Sequence, residues 1–341
     1  MVAASRLNDD TPPTPESDAT GADTPPWRLD DPLDPPASAP PEVNARAGEP
    51  EPFMANRTLL TAHGFRFGEL PVPGLLGDLQ SFDDLQARLQ PWIEGVKAVT
   101  DHRPVTLAAH MIYALANPCE TAADACLTYL DAWGVKVIDD YIKPALERDI
   151  AIVLDVQIGR AGPVALMRRV IDAGCLAYPN VHVAFDPEFA TAPNHWLPGD
   201  PIGSLPASLI NQAQELLSRY MRDINLKASK VLILHQFIDA TTNTWSMLND
   251  KNNIETYPGV EIVINTDRLD TPYAKVYEYN NLTDQNVYPK RWLRGIKIFQ
   301  FNTRAPRFSD IPVMTPRQIF GLDPTASGRR MWAGPHVLVI A

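Results

Sequence analysis

Asp186-Pro187-Glu188 closes the apolar run from Val181 to Phe185 and sets two carboxylates two positions apart. In an extended strand, positions i and i+2 share a face, so both acids point the same way. Pro187 brings no backbone donor and suits a strand that is finishing. Two carboxyl groups held together in a partly apolar pocket resist joint ionisation, which keeps one of them protonated as a general acid. The ordinary alternative is that one acid caps the next helix and the other meets an arginine.

The pattern recurs along the chain. The run from Ile150 to Val156 carries Asp155, then Gln157, with Arg160 just beyond. Lys230 to His235 ends in His235 and Gln236, Val260 to Ile264 leads to Asn265 and Asp267, and Gly295 to Phe299 leads to Gln300 and Asn302. Three of these ends bear carboxylates, which suits a lined, acidic pocket. Glu188, Asp155 and Asp267 are the candidate catalytic groups. Asp186, Gln157, Arg160, Trp196, His235, Gln236, Gln300 and Asn302 are the candidate substrate contacts. Trp196 and His195 sit in a long loop after Glu188, and Trp245 and Trp292 also fall near strand ends. A tryptophan beside carboxylates suits a sugar ring, with an apolar face for the ring and acids for its bond. Each tryptophan and histidine also has a plain packing or hydrogen-bonding reading.

Positioning these residues takes a repeating strand–helix frame. Seven short apolar strands are expected at 105–113, 150–156, 181–185, 230–235, 260–264, 295–299 and 336–340, with an eighth near Thr58 to Thr61. Helices are expected at 162–173, 204–224, 242–254, 272–279 and 315–320, with two more at 122–133 and 135–148, hinged at Gly134. Ser81 is placed to cap a helix carrying Leu85, Leu89, Trp92, Ile93 and Val96 at helical spacing. Near-continuous apolar strands, each followed by a helix, imply a parallel sheet buried on both faces, and eight of them give a (β/α)8 TIM-like barrel. No GxGxxG or GxxxxGK loop supports a doubly wound nucleotide-binding sheet instead.

Residues 1–52 form a different regime, with about a dozen of the 33 prolines and 11 acidic against 3 basic residues. Such a stretch cannot bury enough apolar surface to offset its ordering entropy, so it is expected to be a disordered Pro-rich acidic linker ahead of a single barrel domain at 53–341. The formal charge of −11 disfavours a nucleic-acid partner. No run approaches the roughly 18–20 apolar residues of a transmembrane segment, and MVAASRLNDD shows no signal-peptide core. Three cysteines without CxxC spacing argue against a disulfide framework or a structural zinc site, although a Cys119–Cys126 bridge remains open.

The runs LDVQIGRAG (154–162), AFDPEF (184–189), PGDPIGS (198–204), KVLILHQF (230–237), VINTDRLDTPYAK (263–275) and VMTPRQIFGLDP (313–324) resemble, in order and spacing, a group of bacterial proteins. These are usually labelled hypothetical or lipoprotein and are glycoside-hydrolase-like barrels. The resemblance spans about residues 100–340. It implies the fold and an exported, cell-surface setting with a carbohydrate or cell-envelope ligand, but no mechanism. Phe189 stands where the group has tryptophan, and Asp267-Arg268-Leu269-Asp270 replaces an Asp-Gly-Phe-Gly turn. The proline-rich stretch fits the tether of such proteins, although no lipobox cysteine is present.

Three functions fit this sequence. One is glycosidic hydrolysis, with Glu188 as acid, Asp155 or Asp267 as nucleophile or base, and Asp186 orienting Glu188. The second is a metal-dependent hydrolase, for example of phosphodiesters, with Asp155, Asp186, Glu188 and Asp267 as oxygen ligands for Mg²⁺ or Ca²⁺; the lack of HxH or HExxH spacing counts against it. The third is a non-catalytic binding or scaffold barrel. The first is preferred, with no metal ligand and no cofactor assigned.

Overall fold

The computed structural model describes residues 50–68, 74–121, 125–191, 195–236, 248, 250–283, 292–300 and 309–341. The expected tether lies outside them up to residue 49. Nine strands are present among the described residues: β1 (Thr58–Gly64), β2 (Val105–Ala116), β3 (Leu127–Tyr129), β4 (Ala151–Gly159), β5 (Val181–Ala190), β6 (Lys230–Gln236), β7 (Val260–Thr266), β8 (Leu293–Ile298) and β9 (Val337–Ile340). Eight of them form a parallel ring in the order β1, β2, β4, β5, β6, β7, β8, β9, closed by the pairings of β1 with β2 and with β9. This is the expected TIM-like barrel. β3 lies outside the ring, antiparallel to the end of β2.

Helices α1 (Phe82–Val99), α2 (Lys143–Leu146), α3 (Pro163–Asp172), α4 (Ala207–Asp223), α5 (Pro272–Leu282) and α6 (Pro316–Ile319) fall between strands. Their starts follow local chemistry. Ser81 Oγ accepts from Asp84 N at 3.1 Å, as its type and position imply. Thr315 and Gln318 form a reciprocal capping box, which fixes so short a helix as α6. α4 buries Ile210, Ala213, Leu216, Leu217 and Tyr220 on one stripe.

Three expected elements differ. Of the helix expected over 122–133, residues 122–124 lie outside the described residues, and in the rest Leu127–Tyr129 adds a strand to β2 and a 3-10 turn follows at Leu130–Trp133. Thr128 and Tyr129 favour extended backbone, and the free flank of β2 offers them a ladder. Nor does β5 end at Asp186-Pro187-Glu188; it runs on to Ala190. Its pairing with β4 jumps from Gln157↔Asp186 to Gly159↔Ala190, so Pro187 sits where a missing N–H costs no ladder bond. Of the helix expected over 242–254, residues 242–247 and 249 lie outside the described residues, and Lys251–Asn253 is a 3-10 turn.

The barrel interior follows the two-residue period of its strands. Leu59, Ala108, Ala151, Val153, Ala184, Val231, Ile233, Val263, Val337 and Val339 fill its lower half. Phe53 and Met54 close the bottom, their amides bound to Ser229 Oγ at 2.7 Å and to Glu261 Oε1 at 3.2 Å. Glu51 N already donates to Lys227 O at 2.6 Å, so the chain meets the barrel two residues ahead of the expected start. Truncating a side chain such as Ile233 in this plug costs about 2–5 kcal/mol.

Candidate active site

One strand period above the apolar plug, the interior becomes polar on nearly every strand. Two residues beyond Ala108 comes His110, beyond Val153 Asp155, beyond Ala184 Asp186, beyond Ile233 His235, and beyond Val263 Asn265. His63 stands two beyond Thr61, and Lys297 two beyond Gly295. Gly295 makes room here: a Cβ on it would lie 2.5 Å from Asn265 Oδ1.

Asp155 is the hub, and only 1% of it is exposed. Its Oδ2 lies 3.1 Å from His63 Nε2, 3.3 Å from His110 Nε2 and 3.6 Å from His235 Nε2. The other nitrogen of His235, Nδ1, lies 3.0 Å from Asp267 Oδ2, and Lys297 Nζ lies 2.8 Å from that same oxygen. Asp155 on β4 and Asp267 just beyond β7 are thus joined through one imidazole.

These neighbours tune the acids in opposite directions. Burial alone would raise Asp155, but the imidazoles, His235 first, outweigh it and hold the carboxyl well below its usual range. Burial works the same way on Asp267, where Lys297 and then His235 win and hold it low. Lys297 itself is lifted, because Asp267 and Asp186 outweigh its burial. Asp186 goes the other way, well above the carboxylate range, through burial and then the charges of Glu188, Asp155 and Asp267. Burial and the Asp267 charge push Glu188 up to about 7, against the pull of Lys297. Burial brings His63 down to about 3 and His110 to about 4.

Glu188 stays partly exposed at the rim, where the loop after β5 folds over it. Gly203 N donates to Glu188 O at 2.8 Å, and a Cβ on Gly199 (φ +72°) would sit 3.7 Å from Glu188 Oε1. The rim is tied across by Arg160, whose guanidinium donates to Thr121 O at 2.9 Å and His195 O at 2.5 Å and lies 5.1 Å from the Trp196 ring. Trp196 is 49% exposed, and its carbonyl accepts from Cys119 N at 2.8 Å. Cys119 is bonded to Cys126, the bridge left open by the sequence, and this staples the loop between β2 and β3. Cys175 is free and buried.

The structure therefore brings Asp155, Asp186, Glu188, His235 and Asp267 to one end of the barrel, with Gln157 beside them accepting from Ala116 N at 2.8 Å. Arg160 and Trp196 stand at the rim of that end. Gln236 falls on the opposite face of β6 from His235, where Lys251 Nζ donates to its Oε1 at 3.1 Å. Gln300 follows β8, its amide donating to Ala341 O at 2.9 Å. Asn302 and Trp245 lie outside the described residues, and Trp292 is buried. Sequence reasoning missed His63, which lies beyond the strand expected near Thr58 to Thr61, and His110 and Lys297, which fall within the strands expected at 105–113 and 295–299. The available signal was a polar residue two positions beyond a small or apolar interior one.

No protein-family model and no curated protein matches this sequence. Among solved structures, the chain is similar to Bacillus subtilis mannanase man26, with a TM-score of 0.39 and 14% identity over 84% of this chain and 80% of that one. It is also similar to the Bacillus subtilis mannanase BCman, with a TM-score of 0.36 and 14% identity over the same shares. At these values the likeness assigns neither activity nor substrate to this chain.

Proposed function

We propose that this barrel hydrolyses glycosidic bonds, with Glu188 as general acid and Asp267 as the ionised carboxylate. The observation that carries the reading is the placement of two acids at one barrel end, Asp267 bound by Lys297 and His235 and Glu188 at the rim near them. Asp267 is fixed to Lys297 at 2.8 Å and kept charged, while Glu188, at the rim, is held protonated to about 7. A pair of carboxyl groups pushed apart in this way divides the labour of glycoside cleavage. Glu188 passes its proton to the leaving oxygen as the bond from the anomeric carbon breaks. Asp267 meets the positive charge developing on the ring, as nucleophile or as base to a water.

Asp155 suits a positioning role better than an attacking one. It is enclosed by three imidazoles, and through His235 it fixes the orientation of Asp267. Asp186, directly below Glu188 on β5, lends a second protonated carboxyl that keeps the pocket from accumulating negative charge. Trp196 offers an exposed indole beside this acidic rim, as a sugar platform requires.

The test is release of reducing ends from a panel of polysaccharides by the purified full chain, with Glu188→Gln as control. Release by the wild type alone is expected. No release from any polysaccharide, or equal release by both proteins, would overturn the assignment.

A further inference from the structure

We propose that His63, His110 and Asp155, with His235 as fourth ligand, bind one divalent transition-metal ion of the zinc class at the floor of the pocket. This goes beyond the glycosidase reading and does not depend on it. The ligand atoms of His63, His110 and Asp155 all lie within 4.8 Å of one another, and all three residues are buried. His235 Nε2 joins them, 3.6 Å from Asp155 Oδ2 and 3.5 Å from His110 Nε2. A tetrahedral ion with bonds of about 2.0–2.1 Å has ligand-to-ligand edges of about 3.3–3.4 Å. Four of the six ligand pairs, at 3.1, 3.3, 3.5 and 3.6 Å, lie near that value, and the ligand atoms of His63 and His110 lie within 4.8 Å of each other.

The second layer holds two of the three rings, those of His235 and His110, as metal-bound histidines are held, while His63 Nδ1 is buried without a hydrogen-bond partner among the described residues. Asp267 Oδ2 can only accept, so His235 Nδ1, 3.0 Å away, carries the proton. Asn265 Nδ2 lies 3.1 Å from the same nitrogen. His235 Nε2 faces another imidazole nitrogen and a carboxylate oxygen, and a cation between them would be coordinated by all three. His110 Nδ1 is likewise held, 3.4 Å from Thr61 Oγ1. Asp155 Oδ1 is buried without a hydrogen-bond partner among the described residues. Lys297 remains on Asp267 and does not neutralise Asp155 by direct contact.

The donors choose the metal. Three imidazole nitrogens and one carboxylate oxygen suit Zn²⁺ or Co²⁺, whereas Mg²⁺ and Ca²⁺ require oxygen cages. The four ligands come from β1, β2, β4 and β6, so the ion also ties together strands far apart in sequence.

The experiment strips the full-length protein with chelator, reloads it with Zn²⁺ or Co²⁺, removes excess and measures metal per chain. The expected result is one ion per chain and, with Co²⁺, the intense visible bands of a four-coordinate site. Thermal stability should rise with added Zn²⁺ and fall again with chelator. His63→Gln, the milder change, and His110→Ala should each weaken binding at least tenfold. Failure of the wild type to retain stoichiometric metal, the pale spectrum of six-coordinate Co²⁺, or full retention by folded variants would each overturn the proposal. None of these readouts involves polysaccharide turnover, so they fail or succeed separately from the Glu188 assignment. If His110→Ala does not fold, the wild-type spectrum and His63→Gln still decide.

Discussion

Lys297 Nζ lies 2.8 Å from Asp267 Oδ2, both side chains being nearly inaccessible at one end of the barrel. A buried carboxylate of this kind is tolerable only with its cation beside it. Lys297→Met removes the cation and leaves the anion in place, which costs about 3–5 kcal/mol in urea unfolding. Adding Asp267→Asn restores part of that loss. A single-variant cost below about 1 kcal/mol would show that the pair does not carry this charge balance.

Glu188 ties stability and rate to one titration. A carboxyl raised from its ordinary 4.5 to about 7 binds its proton more tightly in the native state than in the unfolded one. Stability from this group is therefore full below 4.5 and declines as pH rises towards about 7. Catalysis by the protonated form gives kcat/KM an alkaline limb near 7. Carbon NMR of glutamate-labelled protein, assigned with Glu188→Gln, reads the same titration directly. A midpoint near 4.5 would contradict the raised value.

The Cys119–Cys126 bridge closes a short loop whose backbone holds Trp196. Replacing both cysteines by serine is expected to cost about 2–3 kcal/mol by loop entropy. KM should rise with little change in kcat, because the rim moves and the floor does not. Thiol titration of unfolded, unreduced protein should find Cys175 alone.

Trp196→Ala tests the rim by itself. Loss of a stacking face worth about 1 kcal/mol raises KM roughly fivefold and leaves the melting temperature unchanged. An unaltered KM would remove Trp196 from substrate contact.

Much of this frame was legible because its physics is local. Ile150 to Val156 and Val181 to Phe185 can be nothing but buried parallel strands, and eight such runs spaced by helices imply closure. Ser81 announced a helix start. What was not legible depended on tertiary pairing. Leu127–Tyr129 becomes strand because β2 lends it an edge. Pro187 sits mid-strand because a register shift leaves its nitrogen unneeded. Of the site, Asp155, Asp186, Glu188, His235 and Asp267 could be read from strand ends. His63, His110 and Lys297 were missed, since an interior histidine or lysine in an apolar run looks the same whether it faces the barrel or a helix, and only its two-residue offset from a small or apolar interior residue marked it. Gln236 was misleading for the same reason, being one residue out of phase with His235.

The most direct test is reducing-end release by Glu188→Gln on a polysaccharide that the wild type cleaves, with melting temperatures measured in parallel. Removing a general acid while keeping its shape should lower kcat/KM by about 10²–10⁴-fold without loss of stability. A folded Glu188→Gln protein with wild-type kcat/KM would contradict the central role given to Glu188.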